Sequence, residues 1–324
     1  MTQTLLDAFE DALEQELARF PLSELREVAE SLSIGYRDRS KIRHTLSPID
    51  RAAYLGVRFP STFAVAGHVW DDVAQFIEPI EVETILDVGA GPGTASLAAA
   101  RIFPQAQFSL FERDAGWREI ATTLSRAAEM KARFIPGAIE QATQLGEHDV
   151  VVASYALNEL PAAHLAAAVG QLWRCARKAM IVIEPGTPKG FEVVQNVRAQ
   201  LLAVGAHAAA PCTHDLTCPM SPQDWCHRPV RVRRSAAHRF LKRAELGYED
   251  EKFSYVVMTR AAPQRLGAGR VVRKPIRPKG HVHLDVCTSD GLRRVTSSKR
   301  QGAAYKAARD CDWGDVWSDH KSDE

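Results

Sequence analysis

The chain has 324 residues, 45% hydrophobic and 25% charged, ordinary values for a globular protein of one or two domains. That composition excludes wholesale disorder, and no run approaches the ~18–20 apolar residues that a membrane helix needs. The net charge of +1 conceals a segregation: residues 226–310 hold 21 Lys and Arg against 7 Asp and Glu, so this stretch carries +14 and the rest −13. Such asymmetry points to a polyanion-binding face, nucleic acid first; the alternative is a set of basic residues scattered over several surfaces.

The first 80 residues read as a helical region. Leu5, Ala8, Phe9, Ala12 and Leu13 fit one amphipathic stripe, and Leu22, Leu25, Val28 and Leu32 a second, starting after Pro21. A polar link over 36–43 precedes a third helix from Asp50, which Pro60 is expected to stop. The acidic opening resembles neither a signal peptide, which starts basic, nor an acid-poor mitochondrial presequence. The expectation is a soluble, monomeric protein of a bacterial cytoplasm, with no membrane partner.

From Thr84 short apolar runs alternate with helical stretches. Strands are predicted at 84–88, 107–111, 132–135, 149–153 and 179–183, with helices at 95–102, 117–130, 161–175 and 192–204. This rhythm predicts a doubly wound, Rossmann-like parallel sheet. A further helix is expected at 235–246 and an antiparallel edge strand at 252–259. Beyond 261 a hairpin of 281–286 with 293–296 turns at Asp290-Gly291, and the acidic tail 313–324 is expected to fray. The domains so read are a helical region 1–80, a core domain 81–262 with a cysteine-rich insertion at 205–230, and a basic extension 263–324.

The first strand runs into Asp87-Val-Gly89-Ala90-Gly91-Pro-Gly93-Thr, a turn whose glycines let a ligand approach the backbone. A dinucleotide fingerprint has a different glycine spacing, which leaves a nicotinamide enzyme as the lesser rival. The turn resembles motif I of class I S-adenosylmethionine-dependent methyltransferases. In that family the acidic residue ending the second strand, here Glu112, binds the ribose hydroxyls; 135–139 falls near the adenine, and Ser154 at the end of the fourth strand. The Asn/Asp-Pro-Pro-Tyr/Phe motif of amine methyltransferases is missing from Ser154-Tyr-Ala-Leu-Asn-Glu. Pro211-Cys212 and Thr217-Cys218 do not occupy the positions of the two cysteines of 5-methylcytosine enzymes. Asn158, Glu159 and Glu184 are the candidate catalytic groups facing a methyl acceptor, each with a structural alternative.

Six cysteines in a chain of this length do not make a disulfide framework. Cys212, Cys218 and Cys226 share one Pro-rich loop poor in apolar residues, which a metal centre would order, and Cys287 is the candidate fourth ligand. The paired short spacings usual for zinc are missing, so an iron–sulfur cluster suits the pattern at least as well; a mixed zinc site with His214 or His227, or plain reduced thiols, stay open. Cys175 reads as core and Cys311 as a bystander.

Together these segments resemble the methyltransferase-like proteins of the small ribosomal subunit, whose mitochondrial members act in assembly of the mitoribosomal small subunit and which have bacterial members. The resemblance runs through Ala53-Tyr-Leu-Gly-Val-Arg-Phe-Pro, the glycine turn, Ser154-Tyr-Ala-Leu-Asn-Glu-Leu and Ile183-Glu-Pro-Gly-Thr-Pro-Lys-Gly-Phe. It continues through the cysteine loop, Glu251-Lys-Phe-Ser-Tyr, Cys287-Thr-Ser-Asp-Gly and Trp313-Gly-Asp-Val-Trp. It implies a 4Fe–4S cluster on Cys212, Cys218, Cys226 and Cys287, and binding to small-subunit rRNA. It does not imply catalysis: an rRNA methyltransferase, an inactive assembly factor and a zinc-containing methyltransferase of another substrate all remain readings. The basic stretch agrees independently, with Arg231, Arg233, Arg234, Arg239, Lys242 and Arg243 around one helix start, and Arg270, Arg273, Lys274, Arg277 and Lys279 in a Pro/Gly-rich loop suited to phosphates.

Overall fold

A computed structural model describes residues 3–37, 46–77, 81–142, 144–220, 222–264 and 267–318. The chain divides into two units, Met1–Ala142 with Val230–Glu251, and Thr143–Pro229 with Lys252–Glu324.

In the first unit four helices, α1 (Gln3–Ala18), α2 (Leu22–Arg37), α3 (Pro48–Val57) and α4 (Phe59–Val73), precede the first strand. Leu25, Ala29 and Leu32 form the apolar stripe of α2 and pack on Ala52, Ala53 and Val57 of α3. Leu241, at the end of the short helix α9 (Ala236–Leu241), closes the same cluster. Ser47 and Asp50 start α3 with a reciprocal capping box. Pro60 does not stop a helix, as the sequence suggested. It sits in the first turn of α4, where its missing N–H has no helical partner to lose. Residues 38–45, most of the expected polar link, lie outside the described residues.

The strands β1 (Thr84–Val88), β2 (Gln107–Phe111) and β3 (Ala132–Ile135) have the predicted bounds and lie parallel in the order β3-β2-β1. The buried apolar runs of β1 and β2 alternate with α5 (Thr94–Ala100) and α6 (Ala115–Ala127), the texture of an α/β sheet. Val88 pairs with Phe111, so the glycine turn after β1 and Glu112 after β2 leave the sheet side by side.

The second unit continues the alternation with β4 (His148–Ser154), α7 (Ala162–Cys175), β5 (Ala176–Pro185), α8 (Pro188–Ala203) and β6 (His207–Ala210). β4 and β5 are parallel, and β8 (Tyr248–Thr259) runs antiparallel to both β5 and β6: the expected antiparallel strand is present, but it is not the edge, because β6 pairs on its far side. β7 (Arg228–Arg233) pairs with β8. The predicted α/β class and the N-terminal helices are thus present. The helix expected at 235–246 is shorter, ending at Leu241 because the chain turns into β8.

Beyond residue 267 a separate antiparallel sheet forms in the order β11-β10-β9-β12, from β9 (Gly269–Val271), β10 (His281–Thr288), β11 (Gly291–Ser298) and β12 (Val316–Trp317). Val282, Leu284 and Val286 alternate inward on β10 and meet Val271, Trp317 and Ala308 of α10 (Ala303–Asp310). The tail therefore does not fray from Trp313: Trp317 is 5% exposed and its strand pairs with β9. Residues 319–324 lie outside the described residues.

Candidate functional site

Three glycines of the turn after β1, Gly89, Gly91 and Gly93, have positive φ. At Gly91, with φ +54°, an added Cβ would meet nothing within 4 Å, so backbone faces open space there. Gly93, φ +82°, is the N-cap of α5 and is closely approached by Leu110. Asp87 is buried, and its carboxylate accepts from Ser96 N–H (3.1 Å) and Ser96 Oγ (2.7 Å), fixing the start of α5 beneath the turn. Burial pushes its pKa up to about 6, opposed by those two hydrogen bonds and reinforced by the nearby Glu112 charge.

Glu112 accepts the Gly91 N–H on Oε2 at 2.9 Å and the Asp114 N–H on Oε1 at 2.8 Å. A carboxylate has about four lone-pair sites, so each oxygen keeps capacity for a ligand hydroxyl. Asp114 caps α6 and holds a bidentate pair with Arg51 of α3 (3.1 and 3.0 Å). Burial opposes ionisation of Asp114, but the Arg51 guanidinium and the Trp117 N–H hold its pKa below the usual range. Asp87, Gly89, Ala90, Gly91, Gly93 and Glu112 thus come together in the first unit, with Ser96 and Arg51 as supports that the sequence did not reveal.

In the second unit Ser154 ends β4 and Tyr155 follows at φ +57°, a strained conformation for a residue with a side chain. The Asn158 backbone N–H donates to Glu184 Oε1 at 3.1 Å, and its side-chain Nδ2 donates to Oε2. Glu184, at the end of β5, is fully buried. Burial raises its pKa to about 8 despite the Asn158 donors. Two of the three candidate catalytic groups therefore hold each other, and Glu159 is exposed.

Cys212, Cys218, Cys226 and Cys287 line a single cavity within the second unit, about 700 Å³ including its mouth. Phe191, Met220 and Val272 form its apolar wall. Burial raises the pKa of Cys212, Cys226 and Cys287, the last to about 12; the charges of neighbouring thiolates raise each further. Cys212, Cys226 and Cys287, whose ionisation is so opposed, would need a cationic centre to be held as thiolates. Among the described residues, no group of three or more His, Cys, Asp or Glu is set to hold a single metal ion. His214 Nε2 is 3.8 Å from Cys287 Sγ, and His227 stacks on Trp225. Cys175 is half-buried at the end of α7, and Cys311 packs on the core of the C-terminal sheet.

Most of the basic residues singled out earlier have partners inside their own unit. Arg234 (2.6 Å), Lys242 (2.6 Å), His238 (3.4 Å) and Ser61 (2.8 Å) converge on Glu249. Burial opposes ionisation of Glu249, but these donors hold its carboxyl far below the usual range. Arg231 pairs with Asp250, Arg243 with Glu30 and Arg273 with Asp224, while Arg277 donates to the carbonyls of Arg309 and Cys311. Arg233, Arg239, Lys274 and Lys279 are exposed.

The description "Mitochondrial small ribosomal subunit Rsm22" matches residues 48–318, spanning the glycine turn, the cysteine loop and Cys287. This chain belongs to the Rsm22 family. Over 286 residues it is 27% identical to human "Ribosome assembly protein METTL17, mitochondrial", covering 81% of this chain and 61% of that one. It is 26% identical over 351 residues to the fission-yeast "Rsm22-cox11 tandem protein 2, mitochondrial", covering 88% and 45%. The Rsm22-family chain described here therefore spans between about half and two-thirds of these relatives. Solved structures similar to it include an O-methyltransferase family protein from Burkholderia thailandensis (13% identity, TM-score 0.43, 66% of this chain and 60% of that one). Another is magnesium protoporphyrin IX methyltransferase from Synechocystis with bound SAH (14% identity, TM-score 0.40, 74% and 99%). No helix among the described residues is long and apolar enough to cross a membrane.

Proposed function

We propose that this Rsm22-family chain is an S-adenosylmethionine-binding, iron–sulfur-containing factor that binds small-subunit rRNA during ribosome assembly. The observation that carries the reading is the gathering of Cys212, Cys218, Cys226 and Cys287 on one cavity of the second unit. When bound, the cluster would supply a cationic core that neutralises the thiolates and orders a Pro-rich loop. The loop carries three of the ligands and β10 the fourth, so ligation would staple the C-terminal sheet to the rest of its unit.

On the turn after β1, Gly91 would give room to the cofactor's backbone approach and Glu112 would accept its ribose hydroxyls. The rRNA role draws on the family description and on the exposed basic residues. Co-sedimentation with immature small subunits tests the whole reading. The parent chain is expected to co-sediment and Cys218→Ser to lose most of that association. Undiminished association of Cys218→Ser would remove the cysteine centre from the function.

A second reading, methyl transfer to rRNA, is favoured by the buried Glu184–Asn158 pair, a carboxyl kept neutral near pH 7 beside the end of β4. Transfer of labelled methyl groups to immature subunits, lost in Glu184→Gln with cofactor binding intact, would establish it. No transfer from a cofactor-loaded parent would leave the binding role alone.

A further inference from the structure

Arg198 and Arg270 both line the cysteine cavity, and both are nearly inaccessible, at 5% and 7% exposure. Arg198, on α8, donates through Nη2 to the carbonyls of His214 and Leu216, each at 2.8 Å. Its buried Nε has no hydrogen-bond partner among the described residues. Arg270, on β9, donates to the carbonyls of Pro211 and Gly314, each at 2.9 Å, and stands directly across the β9–β10 pair from Cys287. Both guanidinium groups donate to backbone carbonyls, and among the described residues no Asp or Glu lines the cavity. The other charged or titratable groups facing it are Arg228, His214, His227, Tyr255 and the four thiols. Burying a guanidinium without a counter-charge costs several kcal/mol, about the cost of a broken buried ion pair. The cavity is therefore organised around negative charge that the carboxylates of the chain do not supply.

We propose that Arg198 and Arg270 are positioning residues for the cluster: their fixed positive charges balance the four thiolates and set how readily the bound cluster accepts an electron. This rests on the cluster reading above. A four-thiolate 4Fe–4S group carries a net −2 and takes up one electron from an external reductant to reach −3, so nearby buried cations favour the reduced form. The arginines also clamp the loop through carbonyls on either side of Cys212 and beyond it, so geometry and charge must be separated. Lys keeps the charge and loses the fork; Gln keeps an N–H donor and loses the charge.

The experiment is a dye-mediated reductive titration of the full chain, purified anaerobically and reconstituted with iron and sulfide. Iron and sulfide are assayed for each variant. The parent, Arg198→Lys and Arg198→Gln are compared, with Arg270→Lys and Arg270→Gln as the second pair. The expected result is that both Gln variants shift the midpoint potential downward, while both Lys variants stay near the parent. Gln variants at the parental potential, Lys and Gln variants shifted equally, or loss of iron from the Lys variants with the charge retained would each overturn the proposal. If the Arg198 variants fail to fold, the Arg270 pair decides the question by the same comparison. A parent chain that takes up no iron or sulfide defeats the cluster reading itself, a different outcome from an unshifted potential.

Discussion

The backbone N–H of Gly91 donates to the carboxylate of Glu112 over 2.9 Å, tying the turn after β1 to the end of β2. The second oxygen of Glu112 is held by Asp114, which Arg51 in turn fixes by a bidentate pair. The geometry at the turn is thus a relay from α3 through α6 to the glycine backbone. It leaves open space at Gly91, where a ligand can approach.

Three substitutions grade this relay. Gly91→Arg fills the open space from a backbone that favours glycine, and S-adenosylmethionine binding is expected to disappear. Glu112→Gln removes charge-assisted hydrogen bonds worth roughly 1.5–3 kcal/mol, a loss of about ten- to a hundredfold in affinity. Arg51→Ala acts only through Asp114 and is expected to weaken binding less than Glu112→Gln. Calorimetric titration reads all three, and retained affinity in Gly91→Arg would refute the assignment of the turn.

Glu249 makes a stability prediction in the first unit. Glu249→Ala leaves Arg234, Lys242 and His238 crowded without their counter-charge, and is expected to cost about 3 kcal/mol, the low end for breaking a buried pair. Because its pKa is depressed in the folded chain, its contribution is present above the unfolded carboxyl value near ~4.3 and is lost as pH falls below it. Denaturant melts of parent and Glu249→Gln should converge toward acid pH; a constant gap would contradict this.

Glu184 predicts the opposite slope. Its folded pKa of about 8 lies above the unfolded value, so its stabilising effect is full in acid and fades as pH rises through 8. Glu184→Gln is expected to flatten the loss of stability between the unfolded carboxyl value near ~4.3 and about pH 8. An unchanged slope in thermal melts would show that the carboxyl ionises normally.

The strands β1, β2 and β3 were legible to the residue because each is a short, mostly apolar run bounded by turn residues, a signal carried by local sequence. Pro60 misled because the residue that ends one helix is equally suited to begin another. β6, β7, β9 and β12 went unread: the last two have three and two residues, and all four are defined by partners far away in the chain. The four cysteines were readable as a set because thiols are scarce and their loop has little else to fold around. Arg198 was not, and Arg270 read as a phosphate contact although it is buried, since the sequence does not distinguish a buried cation from a surface one. The same ambiguity affected Arg234 and Lys242, which read as phosphate contacts and stand around Glu249.

That distinction separates two sets of charge reversals. Arg233→Glu, Arg239→Glu, Lys274→Glu and Lys279→Glu alter exposed residues and are expected to weaken rRNA binding with little loss of stability. For residues in contact with phosphate, the salt slope should fall by about 1 per neutralised contact. Arg234→Glu and Lys242→Glu face the Glu249 carboxylate and are expected to lower thermal stability first. Filter binding across a salt series, beside melting curves, sorts the two; stable Arg234→Glu with a reduced salt slope would move that residue back among the RNA contacts.

Trp317 offers a test of the C-terminal sheet. Trp317→Ala empties a position against Val271 and Val286 and is expected to cost about 3–5 kcal/mol locally. Hydrogen exchange should then rise in β9 and β10, the strand that carries Cys287. Unchanged protection there would mean that β12 contributes little to the sheet.

The cysteine centre is tested most directly by assaying iron, acid-labile sulfide and zinc per chain after anaerobic purification. The expected result is about four irons with matching sulfide, little zinc, and loss of both iron and sulfide in Cys218→Ser. Zinc near one per chain, without sulfide, would contradict it.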